Sequence, residues 1–163
     1  MDALTIRKAL ASDAPTIAEF NMLMAKETEG KSLNPATLRL GVEAVFSDPS
    51  KGVYYVAESN GEIVGQLMIT YEWSDWRNGT FWWIQSVYVR EKFRRKGIYR
   101  RLHEHVLQRA KDLPDVCGIR LYVDRANARA KQTYERLRMS KSDYQFYEID
   151  FVLGTSRSRA GAE

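Results

Sequence analysis

Apolar and polar positions along this chain recur with two different periods, and the switches between them mark its elements. Leu4 and Ile6, two residues apart, predict a short first strand. Ser12-Asp13-Ala14-Pro15 places a capping side chain ahead of an early proline and predicts a helix running to about Ala25. Lys26 to Lys31, KETEGK, reads as a polar break. Asn34-Pro35 then opens a second helix, with Leu38, Val42, Val45 and Phe46 at helical spacing and Asp48-Pro49 closing it. Val53 to Ala57 is a strand, Asn60-Gly61 a two-residue hairpin turn, and Glu62 to Tyr71 the returning strand. Glu72 to Thr80, EWSDWRNGT, reads as a loop rich in aromatic and charged residues, and Phe81 to Arg90 as the next strand.

The second half alternates strand and helix periods. Ile98, Leu102, Val106 and Ala110 fall on one face of a helix. Pro114 ends that pattern, and Ile119, Leu121 and Val123 alternate through a strand from Gly118 to Asp124. Asn127 to Leu137 is a helix and Tyr144 to Leu153 a last strand. The segment 154–163, GTSRSRAGAE, has no apolar pattern and is expected to be a mobile tail. The order predicts a mixed α/β (α+β) class: a single domain over 1–153 with a central mixed, mostly antiparallel sheet flanked by helices. A helix joins the strand at Phe81 to the strand at Gly118, which makes those two parallel neighbours.

Composition narrows the class little. With 163 residues, 44% hydrophobic and 28% charged, the chain suits one globular domain; it has no apolar run long enough to span a bilayer and no signal-like start, so a cytoplasmic location is expected, with no membrane partner. Cys117, the one cysteine, excludes an internal disulfide, has no partner at metal-ligand spacing and reads as a small buried hydrophobe; His103 and His105 are expected to face solvent, and no metal site is expected. The net charge of +4 changes the picture through its placement. Seven of the twelve residues from Arg90 to Arg101 are Lys or Arg, at a glycine-bearing turn between a strand and a helix. A helix start leaves four backbone N–H groups unpaired at the positive end of the dipole, so Arg94, Arg95, Lys96 and Gly97 describe a cradle for a ligand carrying several phosphates.

That turn, the strand at Gly118 and the Asn127 helix together resemble the GNAT superfamily of N-acetyltransferases over nearly the whole chain. The superfamily signature, Arg or Gln, two residues, Gly, one residue, Gly or Ala, is met at Arg94, Gly97 and Ile98 and departs at Tyr99. The resemblance implies acetyl coenzyme A as co-substrate, its pyrophosphate gripped by amides of Arg95 to Tyr99. A second signature is Asn127, Ala130 and Tyr134, whose spacings place all three on one helix stripe. The resemblance implies that Asn127 and Ala130 meet the pantetheine arm and that Tyr134 donates a proton to the departing thiolate, which suits a phenol with pKa near 10. The strand Ile84 to Val89 should offer its backbone to pantetheine, with the amides of Val87 and Val89 as oxyanion donors and Tyr88 between them. A homodimer is a further expectation of the resemblance.

Acetylating an amine requires its neutral form, so a carboxylate should stand near. Glu72, Asp75, Glu27 and Glu29 are the acidic candidates to attract or deprotonate the amine, with Glu72 placed among the catalytic residues. Trp73, Trp76, Trp82 and Trp83 fall within eleven residues and suggest an aromatic wall for a cation or, equally, core and subunit contacts. The KETEGK segment and the Asp75-Trp76 loop look similar to the diamine and thialysine acetyltransferase branch, although Gln85 and Ser86 stand where that branch carries acids, which disfavours a long polyamine. The leading reading is therefore transfer of an acetyl group to a primary amine of a small molecule or peptide, by direct attack in a ternary complex. Two rivals are an acyl coenzyme A sensor without turnover and a basic nucleic-acid module. The second is disfavoured because the charges gather at one turn instead of striping a recognition helix, so no nucleic-acid partner is expected.

Overall fold

The computed structural model describes residues 4–153, which divide into two compact units after Tyr122. The first holds β1 (Leu4–Lys8), α1 (Ala14–Glu29), α2 (Pro35–Ser47), β2 (Val53–Ser59), β3 (Glu62–Ser74), β4 (Gly79–Val89), α3 (Ile98–Lys111) and β5 (Val116–Arg120); the second holds α4 (Ala128–Arg136). The sheet runs β1-β2-β3-β4-β5, antiparallel throughout except for the parallel pair β4–β5. This is the expected mixed, mostly antiparallel sheet, with α3 as the crossover.

Alternation along the strands divides two cores. Tyr55, Ala57, Leu67, Ile69 and Ile84 meet Ile98, Leu102, Val106 and Ala110 of α3 on one face. Tyr54 and Val56 meet Ile17 of α1 and Val42 of α2 on the other. Each fully buried aliphatic side chain here contributes about 1.5–3 kcal/mol relative to exposure. The Asn60-Gly61 turn has both residues at positive φ, 51° and 76°, as a tight hairpin connection demands.

Several boundaries differ from the sequence pattern. Helix α1 continues through Lys26–Glu29 and stops at Gly30, whose φ of 63° is the left-handed cap, because Lys, Glu and Thr in an exposed last turn do not oppose a helix. Glu72 to Thr80 is mostly strand, not loop: β3 runs to Ser74, β4 begins at Gly79, and only 75–78 turns, with Asn78 at φ 45°. Strand β5 begins earlier than the alternation implied and ends at Arg120, since a strand extends only as far as its partner's ladder. Residues 144–153 form no strand, and Tyr144, Phe146, Tyr147, Ile149 and Phe151 are exposed; aromatic and β-branched composition does not itself supply a ladder. His103 is buried, contrary to expectation, and His105 stacks edge-on to Tyr55 at 5.3 Å. Cys117 is half-buried. The expected tail lies outside the described residues. Among the described residues no helix is long and apolar enough to cross a membrane.

Candidate active site

The basic turn is built by a short helical turn over Glu91–Phe93, then Arg94 to Gly97, then α3. Arg95 and Gly97 both adopt left-handed φ, 65° and 76°. Gly97 is the N-cap of α3, carries no capping side chain, and its carbonyl accepts the first helical bond from Arg101 N at 3.1 Å. The amides of Ile98, Tyr99 and Arg100 therefore precede the first helical donor, Arg101 N, and are left without intrahelical acceptors. A side chain added at Gly97 would meet nothing within 4 Å, so the concavity is open. Exposed Arg95, Lys96 and Arg100 rim it. This donor set fits a pyrophosphate. Tyr99 does not fold over the cradle: its ring lies along α3 against His103, with centroids 6.1 Å apart.

Arg94 faces inward. Its Nε donates to the Val89 carbonyl at 2.8 Å and its Nη2 to Glu27 Oε2 at 2.6 Å. Glu27 Oε1 accepts from the Tyr88 phenol at 3.0 Å, and the Arg94 guanidinium lies 5.4 Å from the Tyr88 ring centroid. Burial, reinforced by the Glu27 carboxylate, pushes the Tyr88 phenol above its usual pKa. The last turn of α1 is thus tied to β4 and to the basic turn. Beside the tie lies a groove of about 490 Å³ lined by Leu23, Glu27, Tyr88, Arg90, Glu91 and Lys92. Glu29 pairs instead with Lys31 at 2.7 Å.

Strand β4 is interrupted at its midpoint. Register passes from Gln66↔Tyr88 to Met68↔Gln85, so β4 carries one extra residue, and Ser86 sits at φ 51°. The pairing of β4 with β5 spans Thr80 to Trp83, leaving residues 84–89 beyond it. Arg90 N donates to Val64 of β3, so strand alternation turns the amides of Val89 and Val87 toward the side that β5 vacates. Gln85 Nε2 donates across the ladder to Thr70 Oγ1 at 2.5 Å.

The β3–β4 hairpin carries the other acceptor-side candidates. Glu72 Oε2 accepts from Trp83 Nε1 at 2.6 Å and from Arg120 at 3.0 Å, so its carboxylate is held, not free. The Arg120 guanidinium in turn lies 3.6 Å from the Phe81 ring centroid. Asp75 Oδ1 accepts from the amide of Trp76, and Trp73 and Trp76 are 62% and 83% exposed, whereas Trp82 is buried. The eleven residues of β4 separate this tip from the basic turn by about 33 Å at the strand rise. The structure therefore places Glu27 beside the cradle but not Trp73, Asp75 or Trp76, because the expected loop is a projecting hairpin.

In the second unit, Asn127 is the N-cap of α4, its Oδ1 accepting from Ala130 N at 3.0 Å. That spacing is as much a cap as a binding motif. Tyr134 is half-buried, and burial pushes its phenol above the usual value. Sequence reasoning passed over Arg120, whose isolated charge closes a strand, and Gln66, a polar residue inside the apolar run VGQLMI.

Comparison with known proteins bears on family and fold. The model of the acetyltransferase (GNAT) family matches residues 17–138. A possible acetyltransferase from Clostridium difficile 630 is 47% identical with a TM-score of 0.86, covering 91% of this chain and 98% of that one. Two more distant structures share the fold. Glucosamine-6-phosphate N-acetyltransferase from Arabidopsis thaliana is 23% identical, with a TM-score of 0.69 over 90% of this chain and 98% of that one. A predicted acetyltransferase from Clostridium acetobutylicum, solved with acetyl-CoA, is 17% identical, with a TM-score of 0.73 over 91% of this chain and 96% of that one. A comparison with curated protein sequences gives no match. On the strength of the family match over residues 17–138 and the 47% identical structure, the chain belongs to the acetyltransferase (GNAT) family.

Proposed function

We propose that this protein transfers an acetyl group from acetyl coenzyme A to a primary amine of a small molecule or peptide, by direct attack in a ternary complex. The observation that carries this reading is the juxtaposition of an uncapped α3 N-terminus, with left-handed Arg95 and Gly97, and the stretch of β4 beyond its pairing with β5. Acetyl coenzyme A, when bound, supplies an activated thioester and a thiol leaving group.

The chain's own residues would act as follows. The amides of Ile98 to Arg100, with Arg95 and Lys96, neutralise the diphosphate. Val87 and Val89 offer N–H groups to the pantetheine arm and the thioester carbonyl oxygen. Asn127 and Ala130 line the arm, and Tyr134 holds a proton on Oη for the departing sulfur. Its upward shift keeps that proton in place at neutral pH. Glu27 is the carboxylate beside the cradle, while Glu72, held by Arg120, is an electrostatic partner for an ammonium more than a mobile base. The likeness in layout to the diamine and thialysine branch makes a short diamine the first acceptor to try.

The test is calorimetric titration of acetyl coenzyme A into the protein and into Gly97→Asp. We expect wild-type binding and its loss in the variant, where a carboxylate faces the phosphates and an L-residue is forced to φ 76°. Equal affinity in both would refute the placement. Binding of acetyl coenzyme A with no thiol release across a panel of amines would favour the sensor reading.

A further inference from the structure

Strand β3 is apolar on both faces where it crosses the sheet, and Val64, Leu67 and Ile69 are fully buried. Gln66 among them is fully buried as well. A position that served packing alone would hold an aliphatic residue, because a buried amide must find partners for two N–H groups and a carbonyl. Gln66 Nε2 donates to the Ser86 carbonyl at 3.2 Å and to Asn21 Oδ1 at 2.8 Å. The Ser86 carbonyl can only accept, which fixes the orientation of the Gln66 amide; that in turn fixes Asn21, whose Nδ2 points at the buried Tyr54 hydroxyl at 3.5 Å. The chain of contacts joins α1, β2, β3 and β4, and it ends on the one residue of β4 that sits in the left-handed region.

Serine does not take φ 51° unaided. The extra residue in β4 at this point shifts the register of everything after it, Val87 included. We propose that Gln66, backed by Asn21, is a positioning residue for acyl transfer: by holding the Ser86 carbonyl it sets the bulge that aims the Val87 amide at the thioester carbonyl. The inference rests on the reading of the function given above. It accounts for a buried amide at a place where a hydrophobic residue would pack, and for the connection of that amide to strand backbone instead of to solvent. The Oε1 atom of Gln66 has no donor in the structure, a cost carried for the geometry of the other end.

The experiment follows the carbonyl carbon of acetyl coenzyme A labelled at that atom, free and bound, by carbon NMR. No acceptor amine is required. Wild-type protein is expected to shift the bound resonance downfield, as a polarised carbonyl does. Gln66→Met should return it toward the free value while acetyl coenzyme A affinity stays within about threefold, since the phosphate cradle is untouched. Asn21→Leu, which leaves the Ser86 contact in place, should lose part of the shift. In wild-type protein labelled in its glutamine side chains, the Gln66 amide resonances should move when acetyl coenzyme A binds, a readout independent of whether Gln66→Met folds. A bound carbonyl shift unchanged in Gln66→Met, or a Gln66 amide indifferent to ligand, overturns the proposal and leaves the acetyltransferase reading standing. Failure of the wild-type protein to bind acetyl coenzyme A overturns that reading itself.

Discussion

Gly118 and Tyr134 are tested by opposite readouts, the one through packing and the other through its proposed chemistry. A Cβ at Gly118 would stand 2.6 Å from Phe81 Cε1 and 3.0 Å from Cδ1, and the Phe81 ring is already fixed beneath Arg120. Gly118→Ala should therefore destabilise the fold by about 1–3 kcal/mol, seen as a lower melting temperature, with no direct effect on coenzyme A contacts. A variant as stable as the parent would mean that the β4–β5 contact is slack. Tyr134, proposed above as the proton donor, is the opposite case, a half-buried side chain whose test lies in turnover and not in stability. Tyr134→Phe should leave acetyl coenzyme A affinity nearly unaltered and lower turnover about a hundredfold or more, the usual worth of a positioned acid. An unaltered rate would remove the phenol from the mechanism.

At the scale of elements, the tie between α1 and the basic turn is the feature with consequences. Glu27 pairs with Arg94 three residues before Gly97, the start of the proposed phosphate cradle, and both side chains are partly exposed. Such a pair adds little stability, about 0–1 kcal/mol, so Glu27→Gln should melt near the wild-type temperature. Its electrostatic effect on an anion is another matter. Removing one negative charge beside the cradle should tighten coenzyme A binding a few-fold at low ionic strength, and the gain should fade as salt shortens the screening length. Equal salt dependence in both proteins would show that Arg94 is insulated from the phosphates. The fold of these elements was mostly legible: Asn34 caps α2 through Thr37 N, and the Asn60-Gly61 hairpin and the α3 face stand where periodicity put them. The hairpin at Asp75 was misread because Trp and Glu signal strand and loop about equally, and cross-strand partners decided.

For the whole molecule, acid stability follows from two buried groups. His103 lies in the α3 core, its Nδ1 has no partner, and burial lowers its pKa from 6.5. The unfolded chain then binds more protons, so the penalty starts as pH falls through 6.5 and grows until the folded pKa is reached. Asp13 is held below its ordinary 3.8 chiefly by the Arg7 guanidinium at 2.7 Å, so its contribution is complete above 3.8 and is lost as pH falls through the lowered value. The melting temperature should drop from pH 7 to pH 5 in the wild type and stay flatter in His103→Gln. Parallel curves would assign the acid loss elsewhere.

The amino-acid order by itself determined the class of the fold, the crossover that makes β4 and β5 parallel, and the basic, glycine-bearing turn that opens α3 at Gly97, while the structure turned Arg94 of that turn inward onto Glu27. These rest on local periods, on glycine's access to positive φ and on a helix start that every α-helix possesses. Only the tertiary structure decided that Glu27 stands with Arg94 while Asp75 and Trp76 stand a strand's length away. It alone showed that Glu72 is held by Arg120, and that Gln66 reaches the bulge at Ser86. Those are pairings between residues distant along the chain, and no local pattern encodes which of two equally apolar faces, or which of several carboxylates, a folded sheet brings together.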